Sequence, residues 1–220
     1  MKVAVLFSGG KDSCLALFKI RQKFEIKFLL NVAPKNKDSF MFHKPDEKLL
    51  ERQALELKIP LITIKSKGEK EKELKDLENL LRLVKKEVQG IVAGGIASSY
   101  QGKRIKKICK KLKLKFIAPL WDYDGKRIWG ELIENKFKVI LTKISCEGLG
   151  KEWLGKIITK KKFEELKKLA EKYKFRIDFE GGEAETAVLY MPGFEKEIKI
   201  NYDLKSEDNF RHFLTIKQIK

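Results

Sequence analysis

Two short segments bring together residue types whose spacing permits chemistry. The first is Ser8-Gly9-Gly10-Lys11-Asp12-Ser13, which directly follows the apolar run at 2–7. Adjacent glycines let a backbone turn tightly and let its N–H groups approach phosphate oxygens, and a helix beginning there adds the positive end of its dipole. The Ser8 and Ser13 hydroxyls are further donors. The segment fits neither the G-x-x-x-x-G-K-[ST] spacing of a Walker A loop nor the G-x-G-x-x-G of a dinucleotide loop, which counts against γ-phosphoryl transfer and hydride transfer. The plainer alternative is a capping turn with Asp12 or Ser13 as N-cap, but two glycines and two serines around a Lys-Asp pair exceed what a cap requires.

The second segment is Glu180-Gly181-Gly182-Glu183-Ala184-Glu185-Thr186, three carboxylates on a glycine-hinged loop. Such a group can bind Mg²⁺ through oxygen, orient ammonium or recognise a quaternary ammonium, and a solvated acidic turn is the other open reading. His43 is one of two histidines, and a structural and a functional imidazole stand level there; His212 alternates within a strand and reads as structural. Ser98, Tyr100, Gln101 and Arg104 open the helix that follows Gly94-Gly95, where a ligand at a sheet's carboxyl edge would be met. For Ser98 alone, helix capping is as good an account.

These residues need a scaffold. Apolar runs at 2–7, 26–32, 61–65 and 91–95 alternate with helical periodicity from about Asp46 to Lys58, Glu69 to Val88 and Ser98 to Lys111. Continuous apolar strands separated by helices predict a doubly wound parallel α/β sheet with its ligand at the carboxyl ends of the strands. After Pro119 the turn-like Trp121-Asp122-Tyr123-Asp124-Gly125 marks a boundary, giving domains of 1–120 and 121–220. The second reads as a smaller α+β domain, with a helix at about 126–135, a strand at 137–144, a helix at about 160–173 and two antiparallel strands at the end.

Composition bounds the rest. The chain has 220 residues, 43% of them hydrophobic, with 14 Phe and 3 Trp, which excludes a disordered chain, and no apolar stretch is long enough to span a bilayer. The N-terminal segment lacks the pattern of a secretory signal, so the expectation is a cytoplasmic protein without a membrane partner. Cys14, Cys109 and Cys146 form no C-x-x-C pair, and three is an odd number, so reduced thiols are expected. Forty-nine Lys and Arg against 31 Asp and Glu leave +18. That surplus reads equally as a polyanion-binding surface, nucleic acid included, or as solvated Lys/Glu helix faces.

SGGKDS at 8–13 resembles the signature of the PP-loop family, the N-type ATP pyrophosphatases. The segments 41–61 (MFHKPDEKLLERQALELKIPL), 94–104 (GGIASSYQGKR), 118–121 (APLW) and 180–186 (EGGEAET) make the chain similar, over most of its length, to the diphthine–ammonia ligase family. The resemblance implies an adenine nucleotide alpha hydrolase-like fold and ATP with Mg²⁺ as cofactors. It implies elongation factor 2 bearing diphthine, and ammonium, as partners. The diphthine carboxylate would be amidated through an acyl adenylate, with release of AMP and pyrophosphate. Residues Ser8 to Ser13 would hold the phosphates, Lys11 offsetting charge and Asp12 serving as metal ligand, with adenine near Asn31 to Ala33. His43, Ser98, Tyr100, Gln101, Arg104, Glu180, Glu183, Glu185 and Thr186 would meet the acceptor, and Lys11, Asp12, Glu183 and Glu185 would be catalytic. This chain departs from the family pattern at Ala184, where an aromatic is usual, and at Phe179, where a small residue is common. The competing readings are a tRNA-modifying PP-loop enzyme and an ATP-binding regulator without turnover.

Overall fold

The computed structural model describes residues 1–34, 46–66, 70–94 and 99–220, with the backbone alone at 70–72 and 99–101. Cα packing divides the chain into two units, 1–8 with 12–121, and 9–11 with 122–220.

The first unit alternates strand and helix as its periodicity predicts: β1 (Lys2–Leu6), α1 (Lys11–Ile20), β2 (Glu25–Pro34), α2 (Glu47–Leu57), β3 (Leu61–Ser66), α3 (Lys70–Val84), β4 (Gly90–Val92), α4 (Ser99–Lys111) and β5 (Lys115–Ile117). The strands are parallel in the order β3-β2-β1-β4-β5. Strand order therefore reverses between β1 and β4, and in such sheets the crevice beyond the carboxyl ends at the reversal is where ligands bind. Val3, Ala4 and Val5 are wholly buried, which explains why β1 reads as an unbroken apolar run. Leu77, Leu80, Leu81 and Val84 of α3 pack with Ile105, Ile108, Cys109 and Leu112 of α4 over Ala4, Leu30, Val32 and Ile91. The α2 N-terminus is capped by Asp46, whose carboxylate accepts from the Leu49 N–H at 3.0 Å.

In the second unit α5 (Gly125–Glu134), β6 (Lys138–Ser145), a 3₁₀ turn (Lys151–Trp153), α6 (Lys160–Tyr173), β7 (Ala184–Tyr190), β8 (Ile200–Ser206) and β9 (Arg211–Ile219) follow in order. The sheet is antiparallel, ordered β7-β6-β9-β8. Trp129 is its anchor: fully buried, it lies 6.0 Å from the Phe163 ring and 6.1 Å from that of Phe179, and its indole N–H donates to the Ile177 carbonyl at 2.8 Å. Gly125 lets α5 approach the same segment, since a Cβ there would sit 2.7 Å from Ile177 Cγ2 and 2.9 Å from the Asp178 nitrogen. His212 hydrogen-bonds Ser206 Oγ through Nδ1 at 2.8 Å in the β8–β9 hairpin, a structural role as its alternation suggests. Among the described residues no helix is long and apolar enough to cross a membrane.

Two features depart from the sequence reading. Gly9, Gly10 and Lys11 pack with the second unit rather than with the residues on either side of them, because they bond to β7 and to the segment before it. The acidic motif is a loop only as far as Glu183, because from Ala184 onward its backbone is paired with β6.

Gly94 closes the first unit at the carboxyl end of β4. A Cβ there would lie 2.4 Å from the Asp12 carbonyl oxygen and 2.7 Å from the Ser13 nitrogen, closer than any side chain tolerates. Gly94→Ala should therefore destabilise the fold by roughly 1–3 kcal/mol. Urea unfolding should show a lower midpoint with unchanged slope, and an unshifted midpoint would contradict this packing.

Candidate functional site

The carboxyl end of β1 leads straight into the glycine pair. Gly9 has φ +72°, the left-handed region open to glycine at no steric cost, and this turn feeds directly into the first residue of α1 at Lys11. The Ser8 N–H donates to Ser13 Oγ at 3.3 Å, and the two hydroxyls are 3.3 Å apart, so the serines close the turn from both ends. A glycine turn entering a helix N-terminus is the arrangement that binds anions through backbone N–H groups, and the residues present fit the phosphates of a nucleotide. Asp12 is half-buried in the first turn of α1. Asn31 and Ala33 are buried near the carboxyl end of β2.

Within the second unit, Lys11 is 3% exposed, and its ammonium donates to the Asp178 carbonyl at 2.7 Å and stands 5.8 Å from the centre of the Phe179 ring. Its backbone N–H donates to Thr186 Oγ1 at 3.1 Å, and the Val188 N–H donates to the Gly9 carbonyl at 3.0 Å. A buried ammonium requires such acceptors, because desolvating it without them is costly.

The segment before β7 is built to supply them. The Asp178 carboxylate accepts from Arg176 at 3.0 and 2.7 Å and from the Glu180 N–H at 3.0 Å. Partial burial alone would raise its pKa, but the Arg176 guanidinium, the Glu180 N–H and the Lys11 charge together hold it below the ordinary carboxylate range. Phe179 adopts φ +62° and is buried, stacked 6.4 Å from Phe175. A positive φ strains any residue that carries a β-carbon, and here the aromatic packing offsets that strain. Ala184 is buried opposite Ile144.

The three glutamates do not converge. Glu183 folds back on its own turn, accepting from the Gly181 N–H at 2.9 Å and the Arg176 N–H at 3.1 Å. Glu185 pairs across the strands with Lys143 at 3.5 Å. The Glu180 N–H is engaged by Asp178. Among the described residues no three His, Cys, Asp or Glu side chains are gathered as a metal site. Arg104 is half-buried on α4, while Tyr100 and Gln101 are on its first turn with side chains outside the description. His43 and Ser98 lie outside the described residues.

Arg176, Asp178 and Trp129 escaped the sequence reading. Arg176-x-Asp178 is a spacing common on any charged surface, and only the indole bond to Ile177 and the Lys11 bond to Asp178 give it meaning.

A family model described as the diphthamide synthase N-terminal domain matches residues 1–116, and one described as the diphthamide synthase C-terminal domain matches residues 124–220. The chain belongs to the diphthamide synthase family. Relatives named diphthine–ammonia ligase include the Mus musculus protein, 32% identical over 91% of this chain and 83% of its own length. The Homo sapiens protein is 32% identical over 91% and 83%, and the Danio rerio protein 32% over 91% and 87%. Among solved structures, a predicted subunit of tRNA methyltransferase from Methanocaldococcus jannaschii aligns with a TM-score of 0.48 and 18% identity, over 90% of this chain and 99% of that one.

The thiols of this diphthamide synthase family member are poorly suited to nucleophilic work. Desolvation raises all three, Cys14 furthest, Cys109 to about 12 and Cys146 to about 11, with the Glu183 charge adding to Cys146. Iodoacetamide at neutral pH should leave the folded chain almost unmodified. As pH rises toward 9.5, partly exposed Cys146 should react first. Peptide mass spectrometry showing rapid labelling of Cys14 at pH 7 would contradict the buried thiol.

Proposed function

We propose that this chain is a diphthine–ammonia ligase that uses ATP and Mg²⁺ to convert the diphthine carboxylate of elongation factor 2 into its amide. The observation that carries the reading is the match of both halves of the chain to the diphthamide synthase family. The glycine turn entering α1 supports ATP as the co-substrate.

In this reading the Gly9–Ser13 backbone and the Ser8 and Ser13 hydroxyls hold the phosphates, and Lys11 and Asp12 serve the reacting centre. Asn31 and Ala33 line the adenine side. Asp12 would hold Mg²⁺ in part, and the ion, when bound, would supply charge neutralisation for the phosphates. A carboxylate oxygen of the acceptor attacks the α-phosphorus and pyrophosphate leaves. The ammonia lone pair then attacks the acyl carbon, the acyl–oxygen bond breaks, AMP leaves, and the surplus proton passes to water. His43, Ser98, Tyr100, Gln101 and Arg104 belong to the acceptor side, as do Glu180, Glu183 and Glu185. The cytoplasm is where such a protein substrate would be met.

No specific observation favours the tRNA-modifying alternative. Sulfur transfer would call for a reactive thiol, and the three here are held protonated.

Incubation with ATP, ammonium and diphthine-bearing elongation factor 2 should yield the carboxyl-to-amide mass change together with equal amounts of AMP and pyrophosphate. ADP and phosphate as products would overturn the reading. Adjacent residues on a strand point to opposite faces, so Glu185, directed toward Lys143, acts apart from Thr186. Glu185→Gln should accordingly lower amidation by roughly ten- to a hundredfold while leaving the ATP dissociation constant nearly unchanged. Calorimetry and initial rates on the same folded preparation make that comparison.

A further inference from the structure

The residues from 176 to 188 contact the glycine turn after β1 directly. Three hydrogen bonds reach Gly9 and Lys11: the Lys11 N–H to Thr186 Oγ1, the Val188 N–H to the Gly9 carbonyl, and the Lys11 ammonium to the Asp178 carbonyl. We propose that Thr186 and the Arg176–Glu180 segment are positioning groups for the nucleotide step, holding the phosphate loop and its lysine in the conformation that receives a polyphosphate. The consequence for ATP rests on the function proposed above.

The chemistry of each contact fits that task. A hydroxyl acceptor at Thr186 fixes the Lys11 amide, the first residue of α1, and so sets the direction of the donor groups at that helix end. The ammonium is met by a backbone carbonyl, an acceptor fixed in the chain rather than carried on a mobile side chain. The Asp178 carboxylate is turned instead to Arg176 and the Glu180 N–H, which lock the carbonyl's orientation. Glu183 completes the lock by accepting from the Arg176 and Gly181 N–H groups, and Trp129 donates to the Ile177 carbonyl. On this reading Glu183 and Thr186, part of a motif that reads as acceptor chemistry, act first on the loop that takes the nucleotide.

The test uses the full ¹⁵N-labelled chain without nucleotide, then with ATP. Loss of one hydrogen bond in Thr186→Val should speed exchange of the Lys11 amide by about three- to tenfold, and Thr186→Ser should restore protection. Thr186→Val should raise the ATP dissociation constant by a similar factor and leave the KM for ammonium unchanged, a split that general loosening of the fold would not produce. If Thr186→Val does not fold, Thr186→Ala, which adds no atom, carries the same comparison. Unchanged Lys11 exchange in the folded variant overturns the proposal whatever nucleotide does. Faster exchange with an unaltered ATP affinity overturns it too, leaving Thr186 a structural contact. Wild-type chain that binds no ATP would overturn the function proposed above instead, while the exchange comparison still decides whether Thr186 holds the loop.

Discussion

A buried ammonium is the constraint around which the site is arranged. Lys11 is almost wholly removed from solvent, and an unsolvated cation is tolerated only where fixed acceptors replace its water. The Asp178 carbonyl does so, and it stays aimed because Arg176 and the Glu180 amide hold the Asp178 side chain while Trp129 holds the Ile177 carbonyl. Gly125 must lack a side chain for α5 to carry Trp129 that close. One lysine near the N-terminus is thus met by a chain of contacts that runs through residues 125–180 of the same unit.

The glycines do comparable work by leaving room. Gly9 takes a backbone conformation that a β-carbon resists, and Gly94 lets the end of β4 touch the Asp12–Ser13 backbone. They follow the carboxyl ends of β1 and β4, the neighbouring strands between which the strand order reverses. The glycine turn after β1 and the reversal point of a doubly wound sheet therefore meet at one place for independent reasons.

The surplus positive charge is unevenly used. From Ser99 to Trp121 the sequence contains no acidic residue, while α4 carries Lys103, Arg104, Lys106, Lys107, Lys110 and Lys111. Part of this is answered from α3: Glu78 accepts from Lys111 at 2.9 Å and pairs with Arg82, which together keep its carboxyl below the ordinary range. Ion pairs this exposed contribute little stability, so the charge on α4 is a surface property more than a folding one.

Much of the architecture was legible in the chain itself. Unbroken apolar runs such as 2–7 imply strands buried on both faces, and the 160–173 amphipathic pattern coincides with α6. These are local periodicities, and local sterics and burial decide them. The glycine turn was legible for the same reason, since Gly9 expresses a preference of its own backbone. What only the tertiary structure decided is pairing between distant residues. Three glutamates within six residues suggest one cluster, yet β-pairing turns Glu185 to Lys143 and a reverse turn folds Glu183 onto Gly181 and Arg176. Lys11 and Asp178 are 167 residues apart, and no spacing rule joins them. Their contact exists because the antiparallel sheet and Trp129 bring that carbonyl to the lysine, a long-range consequence of packing that periodicity does not encode.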